Sequence, residues 1–232
     1  CTGSFIDSNW ILTAAQCFDG GVITKSLIRS GSANYSDRDT GHKIQTVQVI
    51  KHPRYNRIEA SYDLALIRVR IPSSFSSQLQ FLKLHEQVFT WTILYQEKWS
   101  CIAIGFGRSA HKDTLLHANI YTIRYDGKAC DCDDNNPRYL CGTIDGTWDA
   151  CSDDHGGPLI CEGLGVGVAN RLIQCGRKEN DICGKDTHYR FTYICAHFNW
   201  INKYVNIYSQ CPGYVGVLLS SSYRVGPSSN MF

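Results

Sequence analysis

Polar and apolar residues alternate along most of this chain in short runs separated by turn residues. Residues 42–51 (HKIQTVQVIK) alternate in this way, and so do residues 63–70 (DLALIRVR). A period of two puts one set of side chains on each face of a half-buried strand. Residues 99–105, 117–125, 158–161 and 163–169 read the same way. Residues 4–14 (SFIDSNWILTA) split into two strand pieces around Asp7-Ser8-Asn9. Helical spacing is absent until 196–206 (AHFNWINKYVN), where Phe198, Ile201 and Val205 recur at intervals of three and four. That spacing predicts one amphipathic helix. Residues 82–98 carry few strand signals in their first half and are expected to cross between two halves of the molecule. Many short strands and one late helix predict an all-β barrel or sandwich.

Composition narrows this picture. The chain has 232 residues, 43% of them hydrophobic, which is enough for a full core. A formal net charge of +2 implies no polyanionic partner, so no nucleic-acid binding is expected. No apolar run approaches the ~18 residues a membrane helix needs, so no membrane association is expected. Twelve cysteines, mostly isolated rather than in CxxC pairs, point to an oxidising compartment and several disulfides. The chain opens at Cys1 without a signal-peptide pattern, so it is expected to be processed or trimmed. A sequon at Asn34-Tyr35-Ser36 marks a candidate N-glycosylation site in a surface loop.

Residues 151–161 (CSDDHGGPLIC) stand apart from the strand pattern. Gly156-Gly157-Pro158 forces a tight turn directly after an Asp-Asp-His run. Such a turn holds one side chain out in a fixed pose, and here that side chain is His155.

Four motifs in order carry a family resemblance. Thr13-Ala14-Ala15-Gln16-Cys17 is similar to T-A-A-H-C, and Asp63-Leu64-Ala65-Leu66-Ile67 to D-I-A-L-L. Cys101 through Gly107 (CIAIGFG) is similar to a cysteine followed by G-W-G, and Cys151 through Leu159 to C-x-G-D-S-G-G-P-L. On these residues the chain resembles the chymotrypsin-like (trypsin-family) serine proteases over nearly its whole length. The resemblance implies two packed six-stranded antiparallel β-barrels with a C-terminal helix. Residues 1–88 would form the first barrel, 89–195 the second, and 196–208 the helix. The segment 211–232 looks like the N-terminal segment that the family places ahead of its first cysteine, so it is expected to complete the first barrel. The implied disulfides are Cys1–Cys17, Cys101–Cys161 and Cys151–Cys175, with Cys141 paired to Cys130 or Cys132. Cys183, Cys195, Cys211 and one of Cys130/Cys132 remain as extras, read as structural staples.

The resemblance also locates the positions where catalysis would be carried, and several hold the wrong residue. Acyl transfer in this family needs a hydroxyl nucleophile, an imidazole base and a carboxylate that orients the base. Asp63 keeps the carboxylate. Gln16 stands at the histidine position, and a carboxamide has no useful proton affinity near neutral pH. His155 stands at the serine position. Asp153 occupies the place of the oxyanion-site glycine, where its carboxylate would repel developing negative charge. Loss of the Ser or His costs about 10⁶ in rate in a related mechanism. Asp149 matches the acid that gives trypsin-like enzymes their preference for Arg or Lys. Asn170-Arg171-Leu172 match the Ser-Trp-Gly rail of the substrate pocket, so Leu172 should block its mouth. Arg171 could instead reach Asp149 and fill the pocket from within. A metal reading of His155, Asp153, Asp154 and Asp63 is weaker than a plain structural one, so neither metal nor cofactor is expected.

These substitutions together predict a pseudoprotease that acts by protein binding. The chain most resembles the inactivated serine protease paralogues of the scabies mite, relatives of the dust-mite protease allergens. That resemblance implies a monomer secreted into the mite gut lumen that binds host proteins, complement components above all, and inhibits the cascade. The basic stretches around Arg177-Lys178 and at 51–57 are candidate contact surfaces. The alternatives are a weakly active hydrolase with a rearranged site, or a decoy that still holds protease substrates in its cleft.

Overall fold

The structure is a computed structural model that describes residues 1–20, 27–32, 41–86, 99–106, 117–124, 138–144, 154–173 and 188–211. Its first half is an antiparallel sheet built from β1 (Ser4–Asp7), β2 (Trp10–Thr13), β3 (Leu27–Ser30), β4 (His42–Lys51) and β5 (Ala65–Arg70). Their order is β1-β2-β5-β4-β3. The second half is a closed six-stranded barrel of β6 (Trp99–Gly105), β7 (His117–Arg124), β8 (Tyr139–Ile144), β9 (Pro158–Cys161), β10 (Leu164–Ile173) and β11 (His188–Tyr193). Around the barrel the order is β10-β11-β8-β7-β6-β9. The protein is therefore mostly β, two curled antiparallel sheets of the chymotrypsin-like kind. The first sheet has five strands among the described residues, against the six expected.

The alternation seen in the sequence is what buries these strands. In β5, Ala65, Leu66, Ile67 and Val69 are buried while Arg68 and Arg70 face out. Ile11, Ile44, Ile67, Val69 and Phe75 pack into one cluster inside the first sheet. A larger core joins the halves, with Leu12, Leu64 and Leu66 packing with Leu159, Val166, Val168, Phe191 and Phe198. The 4–14 region folds as the expected hairpin. Asp7 Oδ1 accepts the Asn9 amide at 2.9 Å and so closes its turn. Residues 82–86 reach the second barrel, where His85 donates its amide to the Gly165 carbonyl at 2.9 Å, and 87–98 of the expected crossing lie outside the described residues.

The late helix is shorter than the expected span. A 3-10 turn, Cys195–His197, leads into a helix α2, Phe198–Ile201, after the single-turn helix α1, Ser73–Ser76. Beyond Ile201 the bonding becomes mixed. Val205 N still reaches Ile201 O at 3.0 Å, while Lys203 and Tyr204 bond three residues back. Phe198, Ile201 and Val205 are buried, so the apolar stripe does what its spacing predicts. No helix among the described residues is long and apolar enough to cross a membrane.

Disulfides join Cys1–Cys17, Cys101–Cys161 and Cys195–Cys211, and Cys141 is also disulfide-bonded. The Cys195–Cys211 bridge pairs two of the extras and pins the chain after α2 to the helix start, 16 residues back. No described cysteine is free. Cys130, Cys132, Cys151, Cys175, Cys183, Asn34 and residues 212–232 lie outside the described residues.

Candidate functional site

The site lies at the seam between the two halves. Gln16 enters from the 3-10 turn Ala15–Phe18 after β2, and Asp63 enters just ahead of β5. Asn170 comes from β10, and Arg190 and Thr192 come from β11. Asp63 is fully buried. Its Oδ1 accepts the Gln16 backbone amide at 2.8 Å, and its Oδ2 accepts Gln16 Nε2 at 2.5 Å and Asn170 Nδ2 at 3.1 Å. Burial pushes the Asp63 carboxyl up from 3.8 to about 6, against the downward pull of the Gln16 hydrogen bonds.

Gln16 Nε2 makes a second bond, to the Asn170 carbonyl at 2.5 Å. A carboxamide nitrogen carries two hydrogens, so both are engaged. What Gln16 has left is an amide oxygen, which accepts hydrogen bonds but takes up no proton near neutral pH.

A second tier supports the first. Asn170 is fully buried, and its Nδ2 also lies 3.0 Å from the Ala60 carbonyl and 3.3 Å from Thr192 Oγ1. Its Oδ1 accepts Arg190 Nε at 2.8 Å. Arg190 is 3% exposed, and its Nη2 donates to the carbonyls of Glu59 at 3.0 Å and Ala60 at 3.2 Å. The guanidinium lies over the Tyr139 ring, 4.2 Å from its centroid. Ala60 and Tyr62 have φ values of 48° and 52°, in the left-handed region that a Cβ disfavours. The bonds from Asn170 and Arg190 tie this strained turn to the second barrel.

The turn carrying His155 is as tight as its glycines predict. Gly156 has φ +84°, and a Cβ there would run into Thr13 Oγ1 and the Thr2 carbonyl. Ladder bonds fix the turn, with Gly156 N to Ala169 O and Ala169 N to Gly157 O, both at 2.8 Å. The His155 carbonyl accepts the Thr2 amide at 2.9 Å, which brings the turn beside the Cys1–Cys17 bridge and thus beside Gln16. His155 is half-buried. Asp154 is buried against Gly105, where a Cβ would collide with its carboxylate.

This geometry has known counterparts. The family model for trypsin matches residues 1–194 of the chain. The chain belongs to the trypsin family. Cationic trypsin-3 of Rattus norvegicus is 26% identical over 218 residues, covering 88% of this chain and 79% of the rat protein. Trypsin-3 of Salmo salar is also 26% identical, and trypsin V-A of Rattus norvegicus is 27% identical, over 88% of this chain in both cases. Among solved structures, kallikrein-related peptidase 10 in complex with Zn2+ superposes with a TM-score of 0.65 at 25% identity, covering 88% of each chain.

Within this trypsin-family fold the motif positions fall in two groups. Gln16, Asp63 and Asn170 share one hydrogen-bonded cluster, and the His155 backbone stands next to it. Arg171 is half-buried on β10, opposite Arg190 across the ladder. Asp149 and Asp153 lie outside the described residues, as does the side chain of Leu172. Sequence reasoning missed Arg190, the residue that locks Asn170 to the 59–63 turn. The one available signal was a lone arginine inside a largely aromatic run, HYRFTY.

Proposed function

We propose that the chain is a secreted, proteolytically inactive serine protease homologue that works by binding other proteins. The observation that carries this reading is the Gln16 carboxamide, whose Nε2 is bonded to both Asp63 and Asn170. A group so engaged, and with no basic nitrogen, cannot take a proton from a nucleophile. His155, at the turn, supplies no hydroxyl to be activated. Disulfides in both halves and at the chain's late helix support secretion. The partner class rests on the resemblance to the inactivated mite paralogues, which points to host complement components and inhibition of the cascade.

The test has two arms. Purified chain is incubated with peptide esters and an active-site fluorophosphonate, alongside a His155→Ala variant. Turnover or labelling above that variant would revive the altered-site hydrolase reading, which the kinship with trypsins favours. The chain is then used to pull down partners from host plasma and is added to a haemolysis assay. Capture of complement components with reduced lysis is expected. Unchanged lysis through every complement pathway would remove the complement function.

A further inference from the structure

A second cleft lies away from the Gln16–Asp63 seam, between the loop after β4 and α2. Its volume is about 230 Å3. His52, Tyr62, His197 and Trp200 form its aromatic wall, and Arg54, Arg138 and Lys203 line it as well. None of its described lining residues is acidic. The rings are in mutual contact. His52 stacks on Tyr62 at 4.9 Å, meets Trp200 at 5.0 Å and meets His197 edge-on at 5.2 Å. The Arg54 and Arg138 guanidiniums lie 4.4 and 5.0 Å from the Tyr62 ring centroid, which holds both against one face of the wall or the other.

Two independent features point to a ligand. The first is positive charge at Arg54 and Lys203. Neither Arg54 nor Lys203 forms an ion pair with a described residue, and the ion pairs nearby belong to Lys51 and Arg57 with Asp19. Burial pushes His52 down to about 4 and His197 down to about 3, and the surrounding arginines and Lys203 act in the same direction. The imidazoles thus stay neutral in a field that no carboxylate among the described lining residues offsets. The second feature is a set of buried polar atoms without a partner, Tyr62 Oη, His197 Nε2 and Trp200 Nε1. His197 and Trp200 are 3% and 6% exposed. An indole N–H can only donate, and a buried donor left unmade is costly.

We propose that this cleft binds a tetrahedral oxyanion carried on a small organic group, a phosphate or sulfate monoester. Its charged end sits among Arg54, Arg138 and Lys203, and its apolar part lies on Trp200. Cations and polar atoms converging from separate elements suit a tetrahedral anion, whereas a flat carboxylate is matched by a single guanidinium fork. The site is independent of the reading of the Gln16–Asp63 seam and holds whether or not the chain hydrolyses peptides.

The test uses the whole folded chain labelled with 15N. The Trp200 Nε1–H resonance is assigned from its disappearance in Trp200→Phe and followed while phenyl phosphate, phenyl sulfate, inorganic phosphate, inorganic sulfate, benzoate or phenol is added. Saturable movement with phenyl phosphate or phenyl sulfate is expected, and the tighter of the two identifies the source. Inorganic anions, benzoate and phenol should each bind at least about tenfold more weakly. Arg54→Gln and Lys203→Gln, both at exposed positions, should each weaken binding about tenfold or more. The surface variant Lys83→Gln should leave binding unchanged. No saturable movement with either ester would overturn the proposal. So would equal binding of phenol, or full affinity in both cation variants with an unaltered circular dichroism spectrum.

Discussion

Replacing Asp63 with asparagine separates two opposing effects at the centre of the seam. Raising a buried carboxyl from 3.8 to about 6 corresponds to about 3 kcal/mol against its charged form. The native state therefore holds its proton more tightly than the unfolded chain does. This contribution is fully present below pH 3.8 and is lost as the pH rises through about 6. The unfolded chain is already partly ionised at pH 4, so the loss between pH 4 and pH 7 is about 2 kcal/mol. Asp63→Asn removes this dependence while keeping the shape. It also turns one oxygen into a donor facing the Gln16 and Asn170 donors, which leaves at least one buried N–H unmade. That costs about 1–3 kcal/mol at any pH. The variant should thus trail the wild type by about 1–3 kcal/mol at pH 4 and nearly match it at pH 7. Urea denaturation at both pH values, with disulfides intact and ionic strength fixed, measures the two gaps. A deficit that stays constant or widens towards pH 7 would refute the reasoning. It would mean that the three donors outweigh desolvation and hold Asp63 as a comfortable anion.

Other outcomes follow from the same geometry. Cys195→Ser with Cys211→Ser should cost about 3 kcal/mol, about 6–12 °C in Tm, since the bridge closes a loop 16 residues apart. Thermal melting of the oxidised double variant checks this. His52 is held down at about 4 by burial, so its contribution is present above pH 6.5 and lost as the pH falls towards 4, about 3 kcal/mol in all. Its Cε1–H resonance should stay at the neutral position at pH 5. Arg190→Met should cost about 3 kcal/mol or more by stripping donors from Asn170 Oδ1 and the Glu59 and Ala60 carbonyls. Amide exchange in the 59–63 turn should quicken with it, and exchange in β6 and β7 should not.

Strands with one wet face were readable from the chain, and the strand that feeds the buried site was not. β4 and β6 match the alternating runs at both ends because one set of their side chains meets the core. β11 gave no such signal. Tyr189, Phe191 and Tyr193 are buried on one side, and Arg190 and Thr192 are buried on the other. A strand closed on both faces loses its polar–apolar rhythm, and one that feeds polar groups into a buried site loses its apolar continuity too. β3 is too short to show a period. The late helix was found by its stripe, but its length was overread, because three apolar contacts at helical spacing are satisfied by one α turn with 3-10 bonding on either side.

The seam was legible where a motif sat next to the residue and hidden where a distant strand supplied the partner. Gln16 and Asp63 announced themselves through their flanking Ala-Ala-x-Cys and Leu-Ala-Leu. Arg190 did not, since a charged residue in a strand reads by default as solvent-facing. Its position ties the cluster to the second barrel. Gln16 Nε2 bonds Asp63 and Asn170, the Asn170 amide bonds Asp63 and Ala60, and the Asn170 oxygen takes Arg190. A proton relay needs a member that can turn toward a substrate and change its charge. Here the members bond one another from both halves of the fold, and the one permanent cation is spent holding the strained turn at Ala60 and Tyr62. Hydrogen bonds of this kind stiffen the interface between the halves. A stiff interface suits recognition by preformed surfaces, because less ordering entropy is lost on association.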